Sequence, residues 1–302
     1  MTSRLPRRRQ TIPGHKKSSS KNPGGFMDRK DIKNFLDNLY AEINKPEFIP
    51  LDPVQFPRRY SKKPDVEIAA FLAAVIAWGR RDLIIKSCEK MFAILGSSPH
   101  AYIMNGDFRK PPPGKATCKW PGELPLRQLK NTAALPRGIN IHRTFFEDDL
   151  FYFCRGLKAC YSKYGSLEAL FASAKGVWEG IGLFRDTMAG ANGGCYSKHF
   201  ADPASNSACK RLHLALRWLV RREGPVDLGI WKSLSPSSLF IPLDLHVGRA
   251  ARLLGLLEGR KANDKKAVIS LTEKLKEFCP QDPIKYDFAL FGYSMMNSAV
   301  DI

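Results

Sequence analysis

Apolar residues recur at helical spacing along most of this chain, and the first clear instance follows residue 28. The apolar positions there are three and four residues apart and form one face of a helix: Ile32, Phe35, Leu36, Leu39, Tyr40 and Ile43. Pro46 ends that helix. Residues 65–77 follow Pro64, are rich in Ala and are apolar on nearly every side. That pattern is typical of a buried helix.

Periodic segments separated by Gly, Pro and Ser predict nine more helices. They lie at residues 82–95, 98–105, 148–163, 166–174, 176–188, 206–222, 244–256, 263–278 and 283–297. No convincing run of alternating residues indicates a strand, so the sequence predicts an all-α protein. The longest uninterrupted apolar run is only eleven residues, 68–78. A membrane-spanning helix needs about 20, so we expect no membrane partner.

Two segments do not follow the helical pattern. Residues 1–26 carry seven basic side chains, no acid and almost no apolar residue, which predicts a disordered arm. The arm could bind nucleic acid, serve as an organelle-targeting leader, or be untranslated, because Met27 could be the initiator. The helical domain would then span residues 27–302.

Residues 107–141 form the second exception. They contain six prolines, seven basic and two acidic residues. A structureless loop of this length is uncommon inside a compact domain. We interpret it as an insertion that either contacts DNA or is a tolerated surface loop, and the second interpretation is favoured.

The charge of the chain limits its partners. Its 48 basic and 29 acidic residues give a net charge of +19, and +12 remains without residues 1–26. An excess of this size indicates a polyanion, usually nucleic acid. The seven cysteines are an odd number and include no C-x-x-C pair, which argues against a disulfide scaffold and a zinc ribbon. A reducing cytoplasm is the simplest compartment.

The most specific segment runs from Pro242 to Leu256. It brings Asp244 to the start of a helix whose buried stripe includes Val247, Ala250 and Leu254. An aspartate at this position caps free backbone N–H groups and suits the helix dipole. From spacing alone, capping is the favoured interpretation of Asp244.

A second candidate lies on the preceding helix. Lys210, His213, Arg217 and Arg221 share one face there, opposite an apolar face. A solvated basic face explains this pattern without any function.

A third candidate is the turn Trp78–Arg81, which could stack on bases and contact phosphate. A core Trp that closes a helix, with exposed arginines, is slightly favoured. The pairs Asp244 with His246 and His199 with Asp202 are too unspecific to predict a metal site.

The segment around Asp244 resembles the P-V-D-T-H-V-x-R-x-x-x-R-L-G-L segment of the helix-hairpin-helix (HhH-GPD) DNA glycosylases. The resemblance implies an all-α, two-lobed fold and an essential carboxylate at Asp244. In bifunctional members a lysine that precedes this aspartate is the nucleophile, and Lys210 occupies that place. The separation of 34 residues is similar to that of the archaeal 8-oxoguanine glycosylase branch.

Two features depart from that family. The glycosylase hairpin L-P-G-V-G is absent before Lys210, where Ala204–Ser207 stands instead, so the docking on phosphate is in doubt. An iron–sulfur cluster needs four closely spaced cysteines near the C-terminus, where only Cys279 lies. We therefore expect no cofactor and no metal.

The span from about residue 30 to 300 also resembles an uncharacterised bacterial family, domain-of-unknown-function family 2400. That resemblance implies no assigned reaction. Its motifs include Asp202–Pro203, Ser207–Leu212, Trp218–Arg221, Gly224–Trp231, Pro242–Arg249 and Asp282–Phe288.

The glycosylase resemblance implies an N-glycosylase and abasic-site lyase that acts on damaged duplex DNA. We expect the protein to be a monomer associated with the nucleoid in the cytoplasm. The alternative is a non-catalytic nucleic-acid-binding protein on the same fold. Lys210 and Asp244 would be catalytic. The residues expected to contact nucleic acid are Trp78, Arg80, Arg81, Lys198, His199, Arg211, His213, Arg217, His246 and Arg249.

Overall fold

A computed structural model describes residues 28–108, 138–259 and 261–297 of the chain. The predicted basic arm, residues 1–26, lies outside the described residues, as does most of the predicted insertion, at 109–137. Every helix predicted from the sequence lies within the described residues.

Eleven α-helices form in the described residues, and each coincides with a helix predicted from the sequence. They are α1 (Arg29–Ile43), α2 (Lys63–Val75), α3 (Arg81–Leu95), α4 (Pro99–Asn105), α5 (Glu147–Tyr164), α6 (Leu167–Ala172), α7 (Val177–Gly190), α8 (Lys210–Val220), α9 (Leu245–Leu253), α10 (Lys265–Lys276) and α11 (Tyr286–Asn297). The prediction of an all-α protein is confirmed.

Local capping explains where five of these helices begin. A side-chain oxygen at the residue before the helix accepts a hydrogen bond from the backbone N–H three residues later, which satisfies a free donor of the first turn. The capping residues are Asp28, Ser98, Ser166, Asp244 and Asp264.

A short antiparallel hairpin corrects the expectation that the chain has no strand. Its strands are β1 (Asn140–His142) and β2 (Phe145–Phe146). Strand β1 therefore begins within the insertion that the sequence predicts at 107–141. Ile141 and Phe145 are buried. Strands of three and two residues are too short to show an alternation of apolar and polar residues in the sequence.

Helix α2 lies at the centre of the protein, with eleven of its thirteen residues buried. It packs against α8 and α4, while α11 packs against both α1 and α9, and α7 packs against α5 and α6. Buried side chains form one hydrophobic cluster that extends from Leu36 to Leu290. Among the described helices, none has the length and apolar content needed to cross a membrane.

Two buried glutamates fix the connection between α8 and α9, which carries Asp244. Glu67 of α2 accepts hydrogen bonds from Trp231 Nε1 at 2.8 Å and from the Tyr161 hydroxyl at 2.7 Å. Burial raises its pKa. Glu168 accepts from the backbone N–H groups of Lys232 and Ser233. Burial opposes its ionisation, but these bonds and the ion pair with Lys63 lower its pKa to about 2.

Candidate active site

Lys210 is the first residue of α8, and a tight loop directs the chain into it. Asn206 and Cys209 adopt left-handed backbone conformations, with φ of 60° and 45°. Glycine takes this conformation most readily, yet neither residue is glycine. The loop is held against the start of α10, since Asn206 contacts Asp264 at 2.9 Å and its carbonyl accepts from Lys265 N at 3.0 Å. Contacts with α10 therefore stabilise a turn that the sequence alone does not favour.

Asp244 is the N-cap of α9, as its position in the sequence predicts. Its Oδ1 accepts the backbone N–H of Val247 at 2.9 Å. Its own backbone carbonyl accepts from Asn263 Nδ2 at 2.9 Å. The cap therefore orients the carboxylate through Oδ1, Asn263 holds the backbone, and neither contact uses Oδ2.

That second oxygen faces Lys210. The Lys210 Nζ atom lies 3.0 Å from Asp244 Oδ2, and the side chains are 31% and 21% exposed. The pair is thus within hydrogen-bonding distance and partly exposed to solvent. Folding brings together two residues that are 34 positions apart in the sequence.

The pair lines a small cleft of about 90 Å³ between α3, α8, α9 and α11. Its walls combine aromatic rings with groups of both charges. The lining residues are Phe48, Asp52, Arg81, Lys210, Leu214, Arg217, Pro242, Asp244, Val247, Asp287, Phe288 and Phe291.

A buried chain of ion pairs lies beneath this cleft. Arg217 pairs with Asp287 and, at 3.2 Å, with Asp227. Arg221 continues the chain by pairing with Asp227 and, at 2.8 Å, with Asp282. All five residues are buried. Three carboxylates around two guanidinium groups leave one excess negative charge next to Lys210 when all five are ionised.

Asp287 joins this network to the cleft. Burial raises the pKa of its carboxyl to about 6, an effect that Arg217 opposes and the charge of Asp244 reinforces. The cleft therefore combines an amine, a capping carboxylate and a second carboxyl group that can exchange a proton near neutral pH. Such a set can support attack by an amine coupled to proton transfer.

Three of the residues predicted to contact nucleic acid, His213, Arg217 and His199, are buried in the structure. His213 is 1% exposed and contacts the rings of Trp178 and Phe240, and burial lowers its pKa to about 3. Arg217 belongs to the buried network. His199 lies 3.5 Å from Asp149 and packs on Phe145. The basic face predicted for α8 is thus internal except at Lys210.

The turn before α3 packs against the hairpin and reaches the cleft. The Trp78 ring is half-buried and is covered by His142 and Arg143 of the hairpin. His142 Nε2 donates to the Trp78 carbonyl at 2.8 Å. Arg80 is exposed and pairs with Asp82, whereas Arg81 lies in the cleft. The interpretation of Trp78 as a core residue that closes a helix agrees with this geometry.

The other predicted contact residues lie in several places. Arg211 is half-buried and donates to the Val75 carbonyl at the end of α2, which turns it away from solvent. Lys198, His246 and Arg249 are exposed, as a nucleic-acid contact requires. His246 Nδ1 lies 3.4 Å from the Ser294 hydroxyl.

Neither His–Asp pair considered for a metal forms a cluster. His199 is next to Asp149 rather than Asp202, which pairs with Arg185 at 3.2 Å. No group of three or more His, Cys, Asp or Glu residues suited to a metal occurs in the described ranges.

Sequence reasoning missed four residues that line the cleft beside the pair, Phe48, Asp52, Asp287 and Phe291. Asp287 lies within one of the motif stretches, Asp282–Phe288, but no spacing rule connects it with Lys210. Phe48, Asp52 and Phe291 come from distant segments, and each is an ordinary residue in its local pattern. Asp287 and Phe291 reach the cleft through the packing of α11 on α9, whereas Phe48 and Asp52 come from the segment that follows α1.

Comparison with known proteins gives one match. A family model described as "Protein of unknown function (DUF2400)" matches residues 52–296. The matched range includes Lys210, Asp244 and every cleft residue except Phe48. No curated protein and no solved structure matches the chain significantly.

Proposed function

The chain belongs to the DUF2400 family, and from the geometry of its cleft we propose that it is a DNA-repair N-glycosylase with abasic-site lyase activity. The observation that carries this proposal is the 3.0 Å contact between Lys210 Nζ and Asp244 Oδ2. A glycosylase of this kind needs an amine and a carboxylate within one cleft, and both are present.

Lys210 would act as the nucleophile. Its unprotonated Nζ forms a bond to C1′ while the bond between C1′ and the base nitrogen breaks. The base leaves with that electron pair and takes up a proton. Nζ then gives a proton to the ring oxygen O4′ as the bond between C1′ and O4′ breaks, which opens the sugar ring and leaves a protonated Schiff base between Nζ and C1′. Removal of a proton from C2′ then expels the 3′ phosphate by β-elimination.

Asp244 would stabilise the positive charge that develops on the sugar, or take the proton from Lys210. Its orientation is fixed by the cap to Val247, so it needs little reorganisation during the reaction. Asp287 can serve as a second proton acceptor because its pKa of about 6 leaves it mostly ionised at neutral pH.

The substrate would be damaged duplex DNA. An enzyme that acts on a base inside a duplex must first extrude it. The basic body would supply salt-dependent affinity for the phosphates. We further propose the two-lobed helix-hairpin-helix arrangement, with the loop before Lys210 in place of the glycine-rich hairpin. The protein would act as a monomer at the nucleoid.

Base release from a panel of oligonucleotides tests the proposal. The duplexes carry 8-oxoguanine, uracil, an oxidised pyrimidine or an abasic site. We expect release from at least one of them, a fall of at least about 100-fold in Asp244→Asn, and loss of strand cleavage in Lys210→Gln. Normal base release by both variants contradicts the assignment. Salt-sensitive binding without release from any duplex supports the non-catalytic binding protein instead.

A further inference from the structure

Arg81 occupies the cleft that holds Lys210 and Asp244. Its guanidinium carbon lies over the ring of Phe291, 4.9 Å from the centroid, and over the ring of Phe48, 5.4 Å from the centroid. One guanidinium nitrogen is 3.8 Å from Asp52 Oδ2. A planar cation thus contacts two aromatic faces, and its edge points toward a carboxylate.

The cleft is too small for a substrate while Arg81 remains there. Its volume of about 90 Å³ is well below the roughly 300 Å³ at which ligand pockets begin. Arg217 is buried and paired with two carboxylates, so it is not free to move. Arg81 is a third exposed, and its contact with Asp52 is long. Of the side chains that line the cleft, that of Arg81 can therefore move out with the least loss of contacts.

The groups around Arg81 indicate which ligand could take the place of its guanidinium. Asp52 Oδ1 accepts the backbone N–H of Val54 at 3.1 Å, so its other oxygen is held ready as an acceptor. A guanidinium is a flat group with N–H donors side by side along one edge. The ring of guanine carries the same arrangement, because its N1–H and its exocyclic amino group on C2 are adjacent. Adenine lacks that pair of donors.

We propose that Arg81 keeps a base subsite closed, and that this subsite accepts a guanine-type base. The base stacks on Phe48 and Phe291 and donates to Asp52 as Arg81 swings out. This inference rests on the proposed function, since it names the substrate class of the same cleft. Asp52 and Arg81 become residues that determine specificity.

Binding of free nucleosides tests this proposal without any chemistry on DNA. The full-length protein and its variants are titrated with guanosine, 8-oxoguanosine, 7-methylguanosine and adenosine in equilibrium dialysis. Arg81→Ala is expected to bind at least one guanine-type nucleoside about tenfold more tightly than the wild type, because displacement of the two ring contacts is no longer needed. Adenosine binding stays weak. Adding Asp52→Asn to Arg81→Ala removes the preference for guanine.

Arg59→Ala is the matched control. Arg59 also lies over a phenylalanine ring, 4.3 Å from the centroid of Phe56, and pairs with Glu89 at 2.5 Å, but it is outside the cleft. The Arg59→Ala variant should bind nucleosides as the wild type does. Arg81→Gln keeps the side-chain length without the charge, and a smaller gain is expected from it.

The results separate this inference from the proposed function. Equal or weaker guanine binding by both Arg81 variants, no detectable binding, or equal affinity for adenosine overturns the inference, whether or not base release from DNA is observed. Tighter guanine binding by Arg81→Ala supports the subsite even if no oligonucleotide is processed, and in that case only the proposed function fails.

Discussion

At the residue scale, the two carboxylate oxygens of Asp244 make two different contacts. Oδ1 caps α9 and Oδ2 faces Lys210. The capping interpretation and the catalytic interpretation of this aspartate are therefore compatible. Local pattern was enough to predict the cap, because capping depends on residues within one turn. The contact with Lys210 could not be derived that way, since it depends on the placement of α8 against α9.

Substitution of Asp244 can separate its helix cap from its contact with Lys210. Asp244→Asn and Asp244→Ser both keep a side-chain oxygen that can cap the helix, so each should change the free energy of unfolding by less than about 1 kcal/mol. Activity should nevertheless fall by at least about 100-fold, because the charge opposite Lys210 is lost. Denaturant unfolding and base release measure the two effects.

Asp264 provides the matched control for Asp244. It caps α10 in the same way, through Ala267 N at 2.8 Å. Asp264→Asn should therefore resemble Asp244→Asn in stability and the wild type in activity. If the two variants lose activity equally, the carboxylate of Asp244 has no special role.

Asp287 would make the proposed reaction sensitive to pH. Burial raises its pKa to about 6, so it is protonated below that pH and can accept a proton only above it. The rate of Schiff-base formation should rise between about pH 5 and 7. Asp287→Asn should lower the rate and flatten this rise, as measured in single-turnover assays across the same range. A rise that persists unchanged in Asp287→Asn excludes this role.

At the element scale, α8 shows where sequence reasoning succeeds and where it stops. The apolar face was predicted correctly, and Leu212, Leu216 and Leu219 are buried. The opposite face was expected to meet solvent, yet Arg217 and Arg221 are buried. Their acidic partners come from the connection that follows α8 (Asp227), from the connection between α10 and α11 (Asp282) and from α11 (Asp287). The sequence gives no local sign that these charges will be neutralised after folding.

The buried network makes a direct prediction about stability. Arg221→Met leaves Asp282 buried without its arginine and Asp227 with Arg217 alone, which should cost about 3–5 kcal/mol in the free energy of unfolding. Its neighbour Arg222 is exposed and donates to the Trp231 carbonyl at 2.9 Å. Arg222→Met should change that free energy by about 0.5 kcal/mol or less. Similar unfolding midpoints for both variants in urea argue against a structural role for the network.

At the scale of the whole molecule, the number and order of the helices were predictable because 3.6-residue periodicity and Gly or Pro stops are local signals. The hairpin was missed because its strands are too short to show a period. Lys210 and Asp244 could be paired in advance only through a family resemblance. Arg81, Asp52 and the two phenylalanines required the folded chain, since they converge from three separate segments.

Borohydride trapping on damaged DNA tests the central claim most directly. Reduction of a Schiff base leaves a stable covalent complex between protein and oligonucleotide, and peptide mapping then identifies the lysine. We predict an adduct at Lys210 on at least one lesion and none with Lys210→Gln. Lys265→Gln, which changes the first residue of α10, should trap as the wild type does. An adduct that persists in Lys210→Gln, or the absence of any adduct across the panel, contradicts the assignment of Lys210 as the nucleophile.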